Sequence, residues 1–170
     1  EVCYYDMNRF SRRLDSSKYN PRTAAAVRGG AIVVATDDLA ASVSTRTGLL
    51  DSFKAGAIDL LEPGAFLPLV VRDNADPWGM KVRSFRAVAA SFSLATPEEA
   101  ARFCGIREGG LDPVRVIEDG EVRTVVEAIL AHGASRIVVQ YKIPKRGTEI
   151  EIDVRVFWAE RDTMLKLGLT

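Results

Sequence analysis

The chain has 170 residues, with 23 Lys and Arg against 23 Asp and Glu, so its formal net charge is zero. This length favours one domain with a full hydrophobic core. The balanced charge gives no sign of a nucleic-acid or anionic-membrane surface, and no apolar run approaches the ~20 residues that cross a bilayer. Two cysteines and no leader-like segment predict a cytoplasmic protein without a disulfide framework.

The N-terminal part, residues 1–30, is predicted to be an arm or linker. A short helix over residues 6–14 is an equal alternative, because apolar residues recur there at helical spacing. The domain itself is predicted to span residues 31–170. The chain starts with Glu1 rather than Met, which we interpret as a piece of a longer protein.

Short apolar segments rich in β-branched residues follow, separated by Gly, Pro and Asp. They lie at residues 31–35, 41–45, 49–53, 58–61 and 66–72. Strands at intervals of roughly 8 to 12 residues are typical of an antiparallel β-sandwich. Pro68 cannot donate a ladder hydrogen bond, so it predicts an edge strand or a bulge there. Residues 81–94 are predicted to form one long strand.

One helix is predicted, at about residues 97–104. Thr96 is suited to cap it, Pro97 to occupy its first turn and Glu99 to complete a T-x-x-E capping box. With Gly105 as its end, this helix is a short connector.

The last third reads as an antiparallel meander. Residues 114–118 and 121–130 are predicted to form a hairpin, with Asp119 and Gly120 in a type I′ turn. Residues 135–143 alternate between apolar and polar, and so do residues 150–158. The second alternation predicts that Val154, Val156 and Trp158 face the core. The predicted fold class is therefore all-β, an antiparallel β-sandwich with one short connector helix.

Few residues suggest chemistry of their own. Asp73 and Asp76 could converge in a loop, and Trp78 beside them could stack on a sugar ring; turn capping and ring burial are the alternatives. Glu160 and Arg161 are predicted to pair at a structural corner after Trp158. No His or Cys ligand cluster is present in the sequence, so no metal site is predicted in this chain.

Five segments, in order, resemble the β-sandwich region of family 38 glycoside hydrolases, the α-mannosidases. They are a T-G turn at residues 47–53, a D-x-x-D-x-W loop at 73–79, a hairpin at 116–123, a strand opening at 135 and a V-x-W-x-E-R corner at 156–161 that leads into L-K-L. Phe157 departs from the aspartate common in the family, and residues 1–30 match none of its motifs.

The resemblance implies a supersandwich like that of galactose mutarotase. It also implies that catalysis and zinc belong to another domain of the parent chain, so this chain alone would be inactive. Its partners would be that catalytic domain and carbohydrate, with Asp73, Asp76 and Trp78 as sugar-contact candidates. Nucleic acid and membrane are not expected as partners.

A second hypothesis is a stand-alone carbohydrate-binding or interaction module, which an exposed aromatic platform near Trp78, Tyr141 or Trp158 would favour. A third is a sugar epimerase or polysaccharide lyase built on the same kind of sandwich. His132 is the only histidine, and a turn is predicted around it, which argues against the third hypothesis.

Overall fold

A computed structural model of the chain describes residues 25–73 and 84–169. Within these ranges the fold is all-β and sandwich-like with a single helix, as predicted. The elements are β1 (Ala25–Arg28), β2 (Ala31–Ala35), β3 (Leu39–Ser44), β4 (Leu50–Ala55), β5 (Ile58–Asp59), β6 (Leu67–Arg72), β7 (Val88–Ser91), β8 (Ser93–Leu94), α1 (Pro97–Phe103), β9 (Val114–Asp119), β10 (Arg123–His132), β11 (Ser135–Pro144), β12 (Glu151–Phe157) and β13 (Thr163–Gly168). Over the same residues, no helix is long and apolar enough to cross a membrane.

The strands form three antiparallel sheets. The first has the order β1-β2-β3-β4-β5 and the third the order β13-β6-β7. The second has the order β12-β11-β10-β8, and β9 also pairs with β10. Because most neighbours in the first two sheets follow one another in the chain, short turns suffice to build the first sheet and most of the second.

One hydrophobic core receives side chains from all three sheets, including Val34 of the first, Val70 of the third and Ile137 of the second. Strand β11 shows the predicted alternation most clearly, since Ile137, Val139, Tyr141 and Ile143 are all buried. A strand with one buried face is what this alternation dictates. The prediction for residues 135–143 is therefore confirmed.

Strand β10 is buried on both faces, and helix α1 covers the C-terminal part of its outer face. Ile129 and Ala131 pack there against Ala100 of the helix, with Phe103 at the side. The predicted capping box holds the start of α1. The Thr96 hydroxyl accepts from the Glu99 amide at 3.2 Å, and the Glu99 carboxylate accepts from the Thr96 amide at 3.0 Å.

The first sheet begins before the predicted boundary at residue 31. Strand β1 pairs with β2 across Gly29 and Gly30, whose φ angles are +57° and +81°. A Gly-Gly pair in this conformation closes a two-residue hairpin at no steric cost, so residues 25–30 belong to the sheet. Residues 1–24, with the predicted arm or helix, lie outside the described residues.

The prediction of one long strand over residues 81–94 is wrong for its described part. β7 pairs with β6 and β8 pairs with β10, so the chain crosses between sheets at Phe92, which is buried. Pro68 lies in the middle strand of its sheet rather than at an edge, and the β6–β7 irregularity falls at Val70 and Val71. Pro68 is tolerated there as the second residue of β6, and its carbonyl accepts a hydrogen bond from the Phe92 amide at 2.9 Å.

The β9–β10 hairpin is confirmed, but the prediction of a type I′ turn at Asp119 and Gly120 is wrong. Asp119 and Gly120 have ordinary backbone conformations, and the Gly120 amide donates to the Arg123 carbonyl at 2.9 Å. The chain therefore reverses at residues 121–122. Asp119 stays in register opposite Thr124 because its carboxylate accepts hydrogen bonds from the Thr124 hydroxyl, at 2.7 Å, and from Lys145.

Strand β12 forms where it was predicted, but its residues do not alternate between buried and exposed as expected. Val154 and Trp158 are half-buried against the core, whereas the Val156 side chain is 42% exposed. The physical reason is its position at the edge of the second sheet, where only β11 flanks it among the described strands. Alternation identifies the face of a strand, and the number of its neighbours decides how deeply that face is covered.

Candidate functional site

The three sugar-contact candidates are only partly placed. Asp73 follows β6 directly and is exposed, while Asp76 and Trp78 lie in residues 74–83, outside the described ranges. The Asp73 amide donates to the carbonyl of Asp162 at 2.9 Å. The start of the predicted sugar loop therefore adjoins the corner between β12 and β13. Convergence of the three side chains stays a prediction.

The corner itself is organised by Glu160. Its carboxylate Oε1 accepts hydrogen bonds from the amide of Ala134 and the hydroxyl of Ser135, both at 3.0 Å. The Ala159 amide donates to the same hydroxyl at 2.9 Å. Ser135 is completely buried. The carboxylate thus joins the β12–β13 corner to the turn between β10 and β11. The Ser135 hydroxyl takes part twice, as a donor to Glu160 and as an acceptor from Ala159.

The turn receiving Glu160 accommodates it because residue 133 has no side chain. Gly133 has a φ of +51°, and a Cβ placed there would lie 2.6 Å from Glu160 Oε1. Close approach of a carboxylate to the backbone is one of the uses of glycine in a turn. Arg161 is exposed, and none of the ion pairs among the described residues joins it to Glu160, so the pairing predicted for these two residues is not formed there.

The electrostatics of Glu160 follow from this geometry. The hydrogen bond from the Ser135 hydroxyl lowers the pKa of Glu160 below its ordinary value, although partial desolvation acts in the opposite direction. The amides of Ala134 and Ser135 and the nearby His132 lower it further. A carboxylate that accepts several donors is stabilised in its charged form. Glu160 is therefore an anion at neutral pH.

Aromatic rings lie beside the corner. The Phe92 ring stacks obliquely with His132, at a centroid distance of 5.6 Å, and with Trp158, at 6.3 Å. His132 is half-buried at the end of β10, not fully exposed as expected for a turn residue. A nucleophilic serine needs a base within hydrogen-bond reach of its hydroxyl. The Ser135 hydroxyl donates to Glu160 rather than to His132, and Ser135 is completely buried, so this group is not arranged as a Ser-His-Glu nucleophile system.

A polar group on the outer face of the second sheet was missed by sequence reasoning. Glu127, only 9% exposed, accepts from Arg115 at 2.5 Å and from Gln140 at 2.8 Å. An acidic residue in the otherwise apolar run of β10 is the signal that could have revealed it. Both carboxylate oxygens are occupied by this strand-to-strand network. Its described contacts are structural.

A second, partly buried carboxylate lies at the opposite end of the β10–β11 hairpin. Burial alone raises the pKa of Asp119, but the hydrogen bonds from Lys145 and Thr124 outweigh it and lower the pKa below its usual value. The Asp119 and Lys145 side chains are 13% and 14% exposed. This pair fastens the segment after β11 to the end of β9.

The T-G turn at residues 47–48 lies between the first and second sheets. The buried Tyr141 hydroxyl donates to the Gly48 carbonyl at 3.0 Å, and burial raises the pKa of that phenol. Gly48 has a φ of +72°, and a Cβ there would lie 3.0 Å from both Ala128 Cβ and Leu94 Cδ1. Only glycine satisfies the conformation and the space together.

No group of three or more His, Cys, Asp or Glu side chains suited to a metal ion occurs in residues 25–73 and 84–169. Comparison of the whole sequence with protein-family models and with curated proteins gives no match.

Proposed function

We propose that this chain is the non-catalytic β-sandwich of a glycoside hydrolase resembling the α-mannosidases. Its role would be to support a catalytic domain of the same parent protein. The expected galactose-mutarotase-like supersandwich, a cytoplasmic location and zinc in the catalytic domain belong to the same proposal. The support is the resemblance of five ordered segments, together with what the described residues of those segments do in the fold.

The observation that carries the proposal is that segments distant in sequence meet in pairs. Ser135, which opens one motif strand, bonds Glu160 of the W-x-E-R corner at 3.0 Å. Asp73, which opens the D-x-x-D-x-W loop, bonds Asp162 beside that corner at 2.9 Å. Such mutual contacts are expected if the motif residues exist to hold a scaffold together.

The alternative of a stand-alone carbohydrate-binding module receives less support. Tyr141 is fully buried and Trp158 is half-buried against the core, so neither forms the exposed aromatic platform that this alternative requires. Sugar-binding sites use exposed aromatic rings because the apolar face of a sugar stacks on them. Of the three residues named for that platform, Trp78 is the one that remains.

The first test uses the complete natural gene product. We expect it to hydrolyse an aryl α-mannoside, to lose that activity on zinc chelation, and to recover it when zinc returns. The 170-residue chain alone should be inactive. A complete product without a further domain, or hydrolysis by this chain alone, would refute the scaffold proposal.

The chain's two tryptophans allow a second test that separates scaffold from binding module. Trp158→Phe leaves Trp78 as the sole tryptophan, which excitation at a wavelength that tyrosine does not absorb selects, and Trp78→Phe is the matched control that leaves Trp158. In the isolated chain, methyl α-mannoside should change the fluorescence of neither variant. A saturable change in Trp158→Phe only would replace the scaffold proposal with the binding-module alternative.

A further inference from the structure

Strand β12 leaves one of its long edges unpaired in the described part of the chain. It pairs with β11 from Glu151 to Phe157, and no described strand follows it on the other side. Val156 and Phe157 are 42% and 51% exposed. An edge strand with free amide and carbonyl groups and exposed apolar side chains is a template for pairing with another strand.

The sequence of β12 is complementary to itself in one antiparallel register. When Val154 faces Val154 of a second copy, Arg155 lies opposite Asp153 in both directions. On the core face Ile152 then lies opposite Val156. Directly opposed residues of antiparallel strands share a face, so an opposite-charge pair and an apolar pair each stabilise this register.

The neighbouring registers are each unfavourable. Centring the pair on Asp153 places two aspartates in contact, and centring it on Arg155 places two arginines in contact. Centring on Ile152 brings Glu151 opposite Asp153. Like charges directly opposed destabilise a strand pair. A shift of one residue would set the core face of one copy against the charged face of the other.

We infer that β12 pairs with β12 of a second copy about a two-fold axis at Val154, which joins the two second sheets into one. A two-fold axis makes the interface isologous, so each favourable pair occurs twice. Arg155 is 63% exposed and Asp153 32% exposed. Within one copy Asp153 already lies 3.8 Å from Arg155 and 3.5 Å from Lys142, so the contact across the axis would extend an existing group of charges. This inference concerns assembly and is independent of the proposed hydrolase scaffold.

The primary test is sedimentation equilibrium of the 170-residue chain. We expect the mass to rise with concentration toward twice 18.6 kDa. Val156→Lys should weaken association about tenfold or more, because a lysine on an edge strand opposes pairing. The matched control Val122→Lys changes a 78% exposed valine in the β9–β10 turn and should leave association unchanged.

Charge exchange tests the register itself. Arg155→Glu and Asp153→Lys should each fail to associate alone, because each opposes like charges across the two-fold axis. An equimolar mixture should associate, because each introduced charge then meets its opposite on the other copy. Circular dichroism verifies that both variants are folded. Asp153→Lys also removes the acidic partner of Lys142, which lies 3.5 Å from Asp153. If that variant does not fold, the comparison of Val156→Lys with Val122→Lys decides.

Three results would overturn the inference. The first is a wild-type chain that remains monomeric up to roughly millimolar concentration, a range in which weak interfaces still associate. The second is a dimer that Val156→Lys leaves intact. The third is a complete natural product that is monomeric while this chain dimerises, which would mean that the parent covers the β12 edge with another of its own segments.

Discussion

Gly48→Ala should destabilise the protein far more than the same change at another left-handed glycine. Gly48 has a φ of +72° and Gly64 a φ of +83°, but nothing lies within 4 Å of a Cβ at Gly64. Forcing a side chain into this backbone region costs about 1 kcal/mol at either position. At Gly48 the new Cβ also lies 3.0 Å from Ala128 and Leu94, and overpacking of this kind adds about 1–3 kcal/mol.

The expected losses are therefore about 3 kcal/mol for Gly48→Ala and about 1 kcal/mol for Gly64→Ala. In a chain of this size they correspond to falls in melting temperature of about 6–12 °C and about 2–4 °C. Urea unfolding followed by circular dichroism measures both. Equal losses for the two variants would refute the tight contact between the T-G turn and the second sheet, and with it one of the contacts assigned to the scaffold.

Two further substitutions test buried polar contacts. Tyr141→Phe removes the hydrogen bond to Gly48 and leaves a buried carbonyl unpaired, which should cost about 1–2 kcal/mol in urea unfolding; no measurable loss would contradict that bond. Lys145→Met removes the cation beside the Asp119 carboxylate, leaves it the Thr124 hydroxyl as a donor, and should cost about 3 kcal/mol at pH 7. The matched change Lys54→Met removes an exposed pair worth at most about 1 kcal/mol. Because the pKa of Asp119 is lowered, its stabilisation is fully present above about pH 5 and is lost as pH falls through the lowered pKa, so the gap between wild type and Lys145→Met should narrow there. A gap that is constant with pH would contradict this origin.

The parts of the fold that were predictable are those fixed by neighbours in the chain. The alternation in β11 and the capping box at Thr96 both depend on residues within one element, and both are confirmed. A period of two in side-chain direction and a reciprocal pair of capping bonds need no tertiary information. Gly29 and Gly30 carried a hairpin signal of the same local kind, which the predicted boundary at residue 31 overlooked.

The errors arose where tertiary contacts decide. Val156 has the same pattern as a core residue, but the order of strands leaves it at an edge. Phe92 sits within an apolar run, yet its burial marks the crossing between two sheets. The Asp119–Gly120 pair is a strong turn signal, but Asp119 remains in β9, where its carboxylate contacts Lys145, a residue distant in sequence. Sequence periodicity carries no information on such partners.

The protonation state of Glu160 bears on the proposal that this chain supports a catalytic domain without taking part in catalysis. A carboxylic acid that donates a proton at neutral pH needs a raised pKa, which burial away from donors provides. Glu160 has the opposite environment, because Ser135 and Ala134 donate to it and lower its pKa. Its Oε1 also occupies the space that a Cβ at Gly133 would need, which leaves little room for a substrate on that side. The Glu160 carboxylate is therefore suited to holding two turns together and unsuited to general acid catalysis.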